Sequence, residues 1–184
     1  MVTTLPGTTI EVSKIEKGTS RSLFDGIFAA GGITLSQVSV MTGLPPHDIQ
    51  NWVKRGFVSS PKNRQYSKNQ FARIVIINML RESLRIDSIT NLLGYINGTL
   101  NDESDDLIGD AELYHRFVDM FVNIKSGDIS GESISQAVIK AAEDYNEPIP
   151  GAKKRLIKML EVMAYADLAA VTRKKAEQLL SHLG

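Results

Sequence analysis

The sequence predicts a mainly α fold that carries one short β wing. Apolar residues recur at spacings of three and four along most of the chain, which is the repeat of an amphipathic helix. Glycine and proline residues interrupt these segments at short intervals and mark the positions where helices end or begin. With 184 residues, of which 42% are hydrophobic, the chain can build a core of its own.

Residues 1–19 are predicted to be a flexible arm, because they are rich in Thr, Ser and Gly with scattered charge. They lack the basic-then-apolar order of a secretory signal. No stretch of the chain approaches the roughly 18 consecutive apolar residues that a membrane helix needs. We therefore expect a cytoplasmic protein without a membrane partner. The chain has no cysteine, which excludes disulfides and thiolate zinc sites.

Three short helices are predicted next, over residues 20–30, from about Leu35 to Gly43, and over residues 46–55. The second and third are joined by a tight turn, and the Pro45-Pro46 pair stands where a new helix can start. In the third helix Ile49, Trp52 and Val53 repeat at spacings of three and four. These apolar side chains face inward, so the polar and basic residues of this helix face outward.

A wing and two more helices complete the first unit. Gly56 ends the third helix, Phe57-Val58 is predicted to form a short strand, and SSPKNRQYS is a polar turn. Ser67 then caps a long amphipathic helix, and another helix runs from Asp87 or Ser88 to Gly94. The buried face of the long helix is predicted to hold Phe71, Ile74, Val75, Asn78, Met79 and Leu84. The pattern is that of a winged helix-turn-helix over residues 20–97.

Residues 98–184 are predicted to form a helical carboxyl-terminal module. An acidic loop is followed by a helix with Phe117 and Phe121 on its apolar side, by a helix over residues 130–145, and by a helix over residues 152–183 that breaks near Thr172. No motif of catalysis or ligand binding occurs here. We therefore treat this half as a dimerisation or regulatory module.

Charge is distributed unevenly along the chain, although 21 basic and 21 acidic residues balance overall. The segment 51–85 contains a single acidic residue, Glu82, against eight basic ones, so it carries a net charge of +7. The basic residues are Lys54, Arg55, Lys62, Arg64, Lys68, Arg73, Arg81 and Arg85. A solvated surface is one interpretation of this cluster; a surface that binds the phosphates of duplex DNA is the other.

Neither an enzyme nor a metalloprotein is expected. Asp102, Glu103, Asp105 and Asp106 offer carboxylates, but their spacing is not that of a calcium-binding loop. The three histidines are far apart in sequence and do not form a zinc-binding pair. Because the chain also has no phosphate-binding glycine loop and no nucleophile elbow, we expect no bound cofactor.

The stretch GLPPHDIQNWVKRGFVSSPKNRQYSKNQFARIVIINMLRESLRIDSITNLL resembles the DNA-binding domain of MerR-type regulators in the order of turn, recognition helix, Gly-apolar-apolar, Pro, Arg-x-Tyr, long helix and short helix. Residues 20–125, with NWVKRGFV, YSKNQFARIVIINML and the YING and DESDDLIGDAELY segments, are more closely similar to a family of Gram-positive bacterial proteins catalogued only as a MerR-like domain of unknown function. The resemblance implies a transcriptional regulator that binds duplex DNA through a recognition helix (46–55) and a wing (58–66).

The resemblance also implies the DNA-binding residues. Gln50, Asn51, Lys54 and Arg55 lie on the groove side of the recognition helix, and Lys62, Asn63, Arg64 and Tyr66 lie on the wing, followed by Lys68. An arginine on the wing can hold a phosphate with two hydrogen bonds, and Gln50 or Asn51 can read an adenine edge. Ordinary exposed helix polarity is the other interpretation of these two amides. Trp52 and Tyr66 are expected in the core, with the Tyr66 hydroxyl able to reach a phosphate.

Two features depart from the MerR pattern. Gln50, Asn51 and Trp52 stand where such helices commonly carry an arginine followed by a tyrosine pair, so one backbone contact is missing. Those regulators dimerise through a coiled coil after the fourth helix, whereas here Gly94, Gly98 and the acidic loop occupy that place without heptads. A homodimer must therefore form differently. An effector or a protein partner for the carboxyl half is a further expectation.

A different class of function is the alternative: a helical protein-interaction module that keeps the winged fold without binding DNA. Apolar side chains of the carboxyl half, such as Phe117 and Phe121, would then hold the partner.

Overall fold

The computed structural model describes residues 3–98, 100, 105–123 and 130–182. Over these ranges the chain forms eight helices and two sheets of two antiparallel strands, which confirms the predicted mainly α class. In chain order the elements are β1 (Thr3–Thr4), β2 (Glu11–Val12), α1 (Thr19–Ile27), β3 (Ile33–Thr34), α2 (Leu35–Thr42), α3 (Pro46–Lys54), β4 (Gln65–Tyr66), α4 (Lys68–Leu80), α5 (Ile86–Asn97), α6 (Asp110–Asn123), α7 (Gly131–Ala141) and α8 (Ala152–Ser181).

The amino-terminal segment differs from the flexible arm that we predicted. β1 pairs with β2, and Leu5, which follows β1, is buried in the core. The Tyr114 hydroxyl donates to the Pro6 carbonyl at 2.8 Å, and the Asn78 side-chain amide donates to the Gly7 carbonyl at 3.0 Å. This segment is therefore held by α4 and α6, two elements that follow it by many residues, and its local composition carries no sign of these contacts.

α2 and α3 lie where the sequence predicts them. Thr34 caps α2 through a reciprocal pair of hydrogen bonds with Gln37, and Gly43 ends the helix with a φ of 70°. Pro46 is the first residue of α3, where its missing N–H costs no hydrogen bond. Val38 and Ile49 are fully buried, so the two helices pack on the core through their apolar faces.

The strand predicted at Phe57-Val58 is wrong. The amides of both residues donate to the Trp52 carbonyl, at 2.9 and 3.4 Å, so the chain wraps around the carboxyl end of α3. The strands of this region are instead β3 and β4, which pair with Ile33 opposite Tyr66 and with Thr34 opposite Gln65. The pairing joins residues about 30 positions apart in sequence, and neither strand has more than two residues.

α4 is buried on nearly its whole circumference rather than on the single face that we predicted. All residues from Phe71 to Ile77 are buried, together with Met79 and Leu80. α4 packs against α2, α5, α6 and α8, so few of its side chains reach solvent. A reciprocal pair of hydrogen bonds between Ser67 and Gln70 caps its amino terminus.

The carboxyl-terminal elements also differ in their bounds from the prediction. α5 continues past Gly94 to Asn97, and α8 runs without a break through Thr172. A single cluster of buried apolar residues extends from Leu5 to Ala166 and includes residues of both predicted halves. None of the described helices combines the length and the apolar character that crossing a lipid bilayer requires.

Candidate nucleic-acid interface

The outer face of α3 exposes the residues that we predicted for the recognition helix. Ile49 and Trp52 are buried, which turns Gln50, Asn51 and Lys54 to solvent. Arg55, the residue that ends the helix, is exposed, and its guanidinium lies 4.5 Å from the centre of the Phe57 ring. Both an amide pair and two cations are therefore available on one side of this helix.

A tight hairpin turn lies between Lys62 and Gln65, which bridge to each other while the Gln65 amide donates to the Lys62 carbonyl at 2.8 Å. The two central residues, Asn63 and Arg64, have left-handed φ values of 51° and 61°. Two central residues with positive φ are typical of the type I′ turn, which matches the twist of paired strands. Lys62, Asn63 and Arg64 are all exposed, so the predicted wing places three polar or basic side chains in solvent at its tip.

Tyr66 does not lie on this surface. Its side chain is only 3% exposed and belongs to the apolar core, and burial raises the pKa of its hydroxyl. The alternation of a strand accounts for this, because the side chain of Gln65 points to solvent and that of the next residue points inward. Tyr66 therefore anchors β4 in the core, and the sequence-based assignment of this residue to DNA contact needs correction.

The cluster of basic residues over 51–85 is smaller at the surface than the sequence count suggests. Three of the eight cations form ion pairs: Lys68 with Asp25, Arg73 with Asp110 and Arg81 with Asp48. Within the described part of the chain, no ion pair is formed by Lys54, Arg55, Lys62, Arg64 or Arg85. Arg85 precedes α5, and the other four belong to α3, its cap and the hairpin turn. These four cations form what we call the basic surface.

The loop between α3 and the hairpin is held by Gln70, which the sequence did not single out, and by Arg73, which the sequence assigned only to the basic cluster. The Gln70 side-chain amide donates to the carbonyls of Ser59 and Ser60, at 3.0 Å each. Arg73 Nε donates to the Phe57 carbonyl at 2.8 Å. Both residues lie on α4, so the loop is fixed from the buried helix. The Ser-x-x-Gln capping sequence was the available signal for Gln70, whereas a basic residue on a buried helix face was the signal for Arg73.

Arg73 also links this loop to the carboxyl half. Its guanidinium lies 3.1 Å from the Asp110 carboxylate at the start of α6, and both side chains are about nine-tenths buried. The other Asp110 oxygen accepts a hydrogen bond from the Asn97 amide at 3.1 Å. α6 is attached to α4 a second time, because Asn69 Oδ1 accepts the Ala111 amide at 3.2 Å. The start of α6 thus restrains the segment that follows α3.

Neither of the two apolar residues named for a protein-docking role is fully exposed. Phe117 is fully buried, and Phe121 is partly buried and packs edge-on against it. Phe117 belongs to the core, whereas Phe121 packs against the core from its edge and keeps part of its surface in solvent. The docking alternative therefore loses Phe117 and keeps only the exposed part of Phe121.

A polar cavity lies on the carboxyl half, away from α3 and the hairpin. This cavity of about 420 Å³ lies between α1, α6 and α7, and its wall includes Lys17, Arg21, Arg116 and Asp144. Arg116 is held there by ion pairs with Glu112 and Asp144. Across the described ranges, no three His, Asp or Glu side chains converge as metal ligands would. Asp102 and Glu103 of the acidic loop lie outside these ranges.

Comparison with known proteins identifies one similar family. Residues 34–117 match the model of a family described as a domain of unknown function (DUF1836). No curated protein and no protein of known structure matches the chain. The matched segment covers slightly less than half of the chain, beginning at the residue that caps α2 and ending within α6, so it contains all four residues of the basic surface.

Proposed function

We propose that this protein is a DNA-binding transcriptional regulator that contacts duplex DNA through α3 and the hairpin at Lys62–Gln65. One observation carries the proposal: of the five cations of segment 51–85 that form no ion pair with a described residue, four lie on α3, its cap and the hairpin. A buried or paired cation is unavailable to a phosphate, whereas these four are exposed. Phosphate contacts supply most of the affinity for duplex DNA.

The local architecture agrees with a winged helix-turn-helix. α2 contacts α3, and it also contacts β3 and β4, so the helix pair and the hairpin are built on one short helix. In this arrangement the second helix of the pair enters the major groove, which is wide enough for an α-helix, and the wing lies along the adjacent backbone. The domain boundaries at residues 20 and 97, and the resemblance to MerR-type regulators, are parts of the same proposal.

Different residues have different roles in the proposed complex. Lys54, Arg55, Lys62 and Arg64 bind phosphates and contribute affinity to every sequence. Gln50 or Asn51 forms two hydrogen bonds with an adenine edge, because a side-chain amide carries one donor and one acceptor and adenine presents one of each. Lys68 is not part of the contact surface because it forms an ion pair with Asp25, and Tyr66 is not part of it because its side chain is buried. No catalytic step and no cofactor belong to this function.

The backbone at the hairpin tip supports a functional role for Arg64. Its φ of 61° lies in the left-handed region, where a residue with a Cβ is strained and glycine is favoured. A sequence selected for stability alone would place glycine at such a position in a hairpin turn. An arginine at this position lowers the stability of the fold, but it places an exposed guanidinium there that can donate two hydrogen bonds to one phosphate.

The proposal can be tested by fluorescence anisotropy with labelled duplex fragments of genomic DNA, in low and then in physiological salt. We expect binding that weakens steeply as salt rises, since each neutralised phosphate releases counterions. Lys54→Ala should weaken binding to all fragments. Lys154→Ala, the matched control, removes an exposed lysine of α8 and should leave binding unchanged. Absence of salt-sensitive binding, or equal losses in both variants, contradicts the proposal.

The protein-interaction module remains the alternative for the same fold. It predicts that the purified chain binds no DNA in either salt and co-purifies with a protein partner.

A further inference from the structure

The cavity between α1, α6 and α7 is a candidate site for a small ligand. Its volume of about 420 Å³ falls within the range of roughly 300–1,000 Å³ that is common for small-molecule sites. Four cations and four carboxylates are among the residues that line its wall. A wall of this kind discriminates between ligands by charge, so the partners of each charged group decide which ligand fits.

Five of these eight charged groups have partners within the protein. The Glu112 carboxylate lies between two arginines, 2.6 Å from Arg21 and 2.9 Å from Arg116. Arg116 also donates to the Asp144 carboxylate at 2.7 Å, and Asp119 accepts the backbone amide that precedes α1 at 2.8 Å. These contacts join α1, α6 and the segment after α7, so they fix the shape of the cavity.

The other three charged groups of the wall are Lys17, Lys140 and Glu143. All three are exposed, and none of them forms a side-chain ion pair with a residue that the structure describes. Lys17 acts over a longer distance, where it adds to the larger effect of Arg116 in lowering the pKa of the Asp144 carboxyl. The charges of the wall that are left for a ligand are therefore two positive and one negative.

Each of these three groups matches a group of opposite charge on a ligand. A lysine ammonium group donates hydrogen bonds to a carboxylate, and a glutamate carboxylate accepts them from an amine. Hydrogen bonds between two charged groups are stronger than those between neutral groups. Two lysines and one glutamate therefore match a ligand with two acidic groups and one amine. A ligand with acidic groups alone would be repelled by Glu143 and would leave it without a partner.

We infer that the cavity binds a small dicarboxylic amino acid, whose carboxylates lie beside Lys17 and Lys140 and whose ammonium group lies beside Glu143. The ligand connects the segment before α1 with the end of α7, on either side of α6. None of the four residues of the basic surface lines the cavity. The inference therefore does not rest on the proposed DNA binding, and either of the two can fail while the other holds.

Isothermal titration calorimetry of the full chain with three matched compounds tests the class of ligand. L-glutamate carries both acidic groups and the amine, glutarate lacks the amine, and γ-aminobutyrate lacks one carboxylate. We expect L-glutamate to bind about tenfold more tightly than either of the other two, because each of them loses one contact between charged groups. Absence of L-glutamate binding at millimolar concentrations overturns the inference, and so does binding of glutarate or γ-aminobutyrate that is as tight as that of L-glutamate.

Variants test the location of the site, and circular dichroism establishes that each of them is folded. Lys17→Ala and Lys140→Ala should each weaken L-glutamate binding about tenfold. Glu143→Gln should weaken the binding of L-glutamate but not that of glutarate, which has no amine.

Lys54→Ala is the matched control, because it removes an exposed lysine of the basic surface that lies outside the cavity, and it should bind L-glutamate as the wild type does. Binding of L-glutamate that survives both cavity lysine changes overturns the inference. So does a Lys54→Ala variant that loses as much affinity as Lys17→Ala does, or a Glu143→Gln variant that keeps the preference for L-glutamate over glutarate.

Discussion

Replacing Arg64 with glycine should make the protein more stable and its binding to DNA weaker. The side chain is exposed and forms no ion pair within the described residues, so its removal takes no such contact from the fold. Releasing the left-handed strain at φ 61° contributes about 1–2 kcal/mol. The greater freedom of glycine in the unfolded chain costs about 0.4–1 kcal/mol. We expect a net gain of roughly 0.5–1 kcal/mol, and a melting temperature higher by about 2 °C.

Two measurements on the same Arg64→Gly preparation separate these effects. Urea unfolding gives the free energy of unfolding, and anisotropy titrations at several salt concentrations give the dependence of log K on log salt. The slope should become less steep by about 0.9 for each bound copy, because one phosphate contact is lost.

Asn63→Gly is the control at the neighbouring position of the turn, where φ is 51°. Asparagine tolerates this conformation better than arginine does and carries no charge, so the control should change both stability and slope less. An Arg64→Gly protein that is less stable than the wild type would refute the strain argument. A stable variant with an unchanged slope would refute the phosphate contact.

Three further predictions concern the fold itself. Asp110→Asn should lower the free energy of unfolding by about 3–5 kcal/mol in urea titrations, because it leaves the buried Arg73 charge uncompensated. Burial lowers the pKa of His115 to about 4, so the folded protein resists the proton that the unfolded chain accepts near pH 6.5. Stability should therefore be lost as pH falls from about 6.5 to 4, by about 3 kcal/mol in unfolding experiments at stepped pH. Gly7→Ala should lower the melting temperature more than Gly18→Ala, because a Cβ at Gly7 would lie 2.5 Å from a carbonyl oxygen of α4, whereas the space around Gly18 is open.

Each of these predictions has a result that contradicts it. An Asp110→Asn variant as stable as the wild type would mean that the ion pair contributes nothing to the fold. If the His115→Asn variant loses as much stability in acid as the wild type does, His115 is not the cause of the loss. Equal melting temperatures for the two glycine variants would place Gly7 away from α4.

The helices around the basic surface were predictable because their signals are local. The Gly43 and Pro46 positions define the turn between α2 and α3, and the three-four spacing of Ile49 and Trp52 fixes which face of α3 is buried. Exposure of Gln50 and Lys54 follows from that face alone. Local capping sequences and helical periodicity are sufficient for this part of the molecule.

The parts that could not be predicted depend on contacts between distant segments. β3 and β4 have two residues each, too few to show an alternating pattern, and their pairing is decided by the packing of Ile33 and Tyr66 in the core. The amino-terminal hairpin has a polar composition, and it is ordered because Leu5 enters a core built by later helices. The ion pairs of Lys68 and Arg73 likewise join positions more than 30 residues apart, so a count of charges along the sequence overestimated the basic surface.

Selection of bound sites from a random pool of duplex DNA tests most directly the claim that α3 reads DNA. With wild-type protein at physiological salt, we expect enrichment of a short motif. We expect the Gln50→Ala protein to lose the preference at one base of that motif while keeping the rest. Two results would contradict the assignment of α3 as the helix that recognises DNA. One is a pool that the wild type does not enrich, and the other is an identical motif for the wild type, Gln50→Ala and Asn51→Ala.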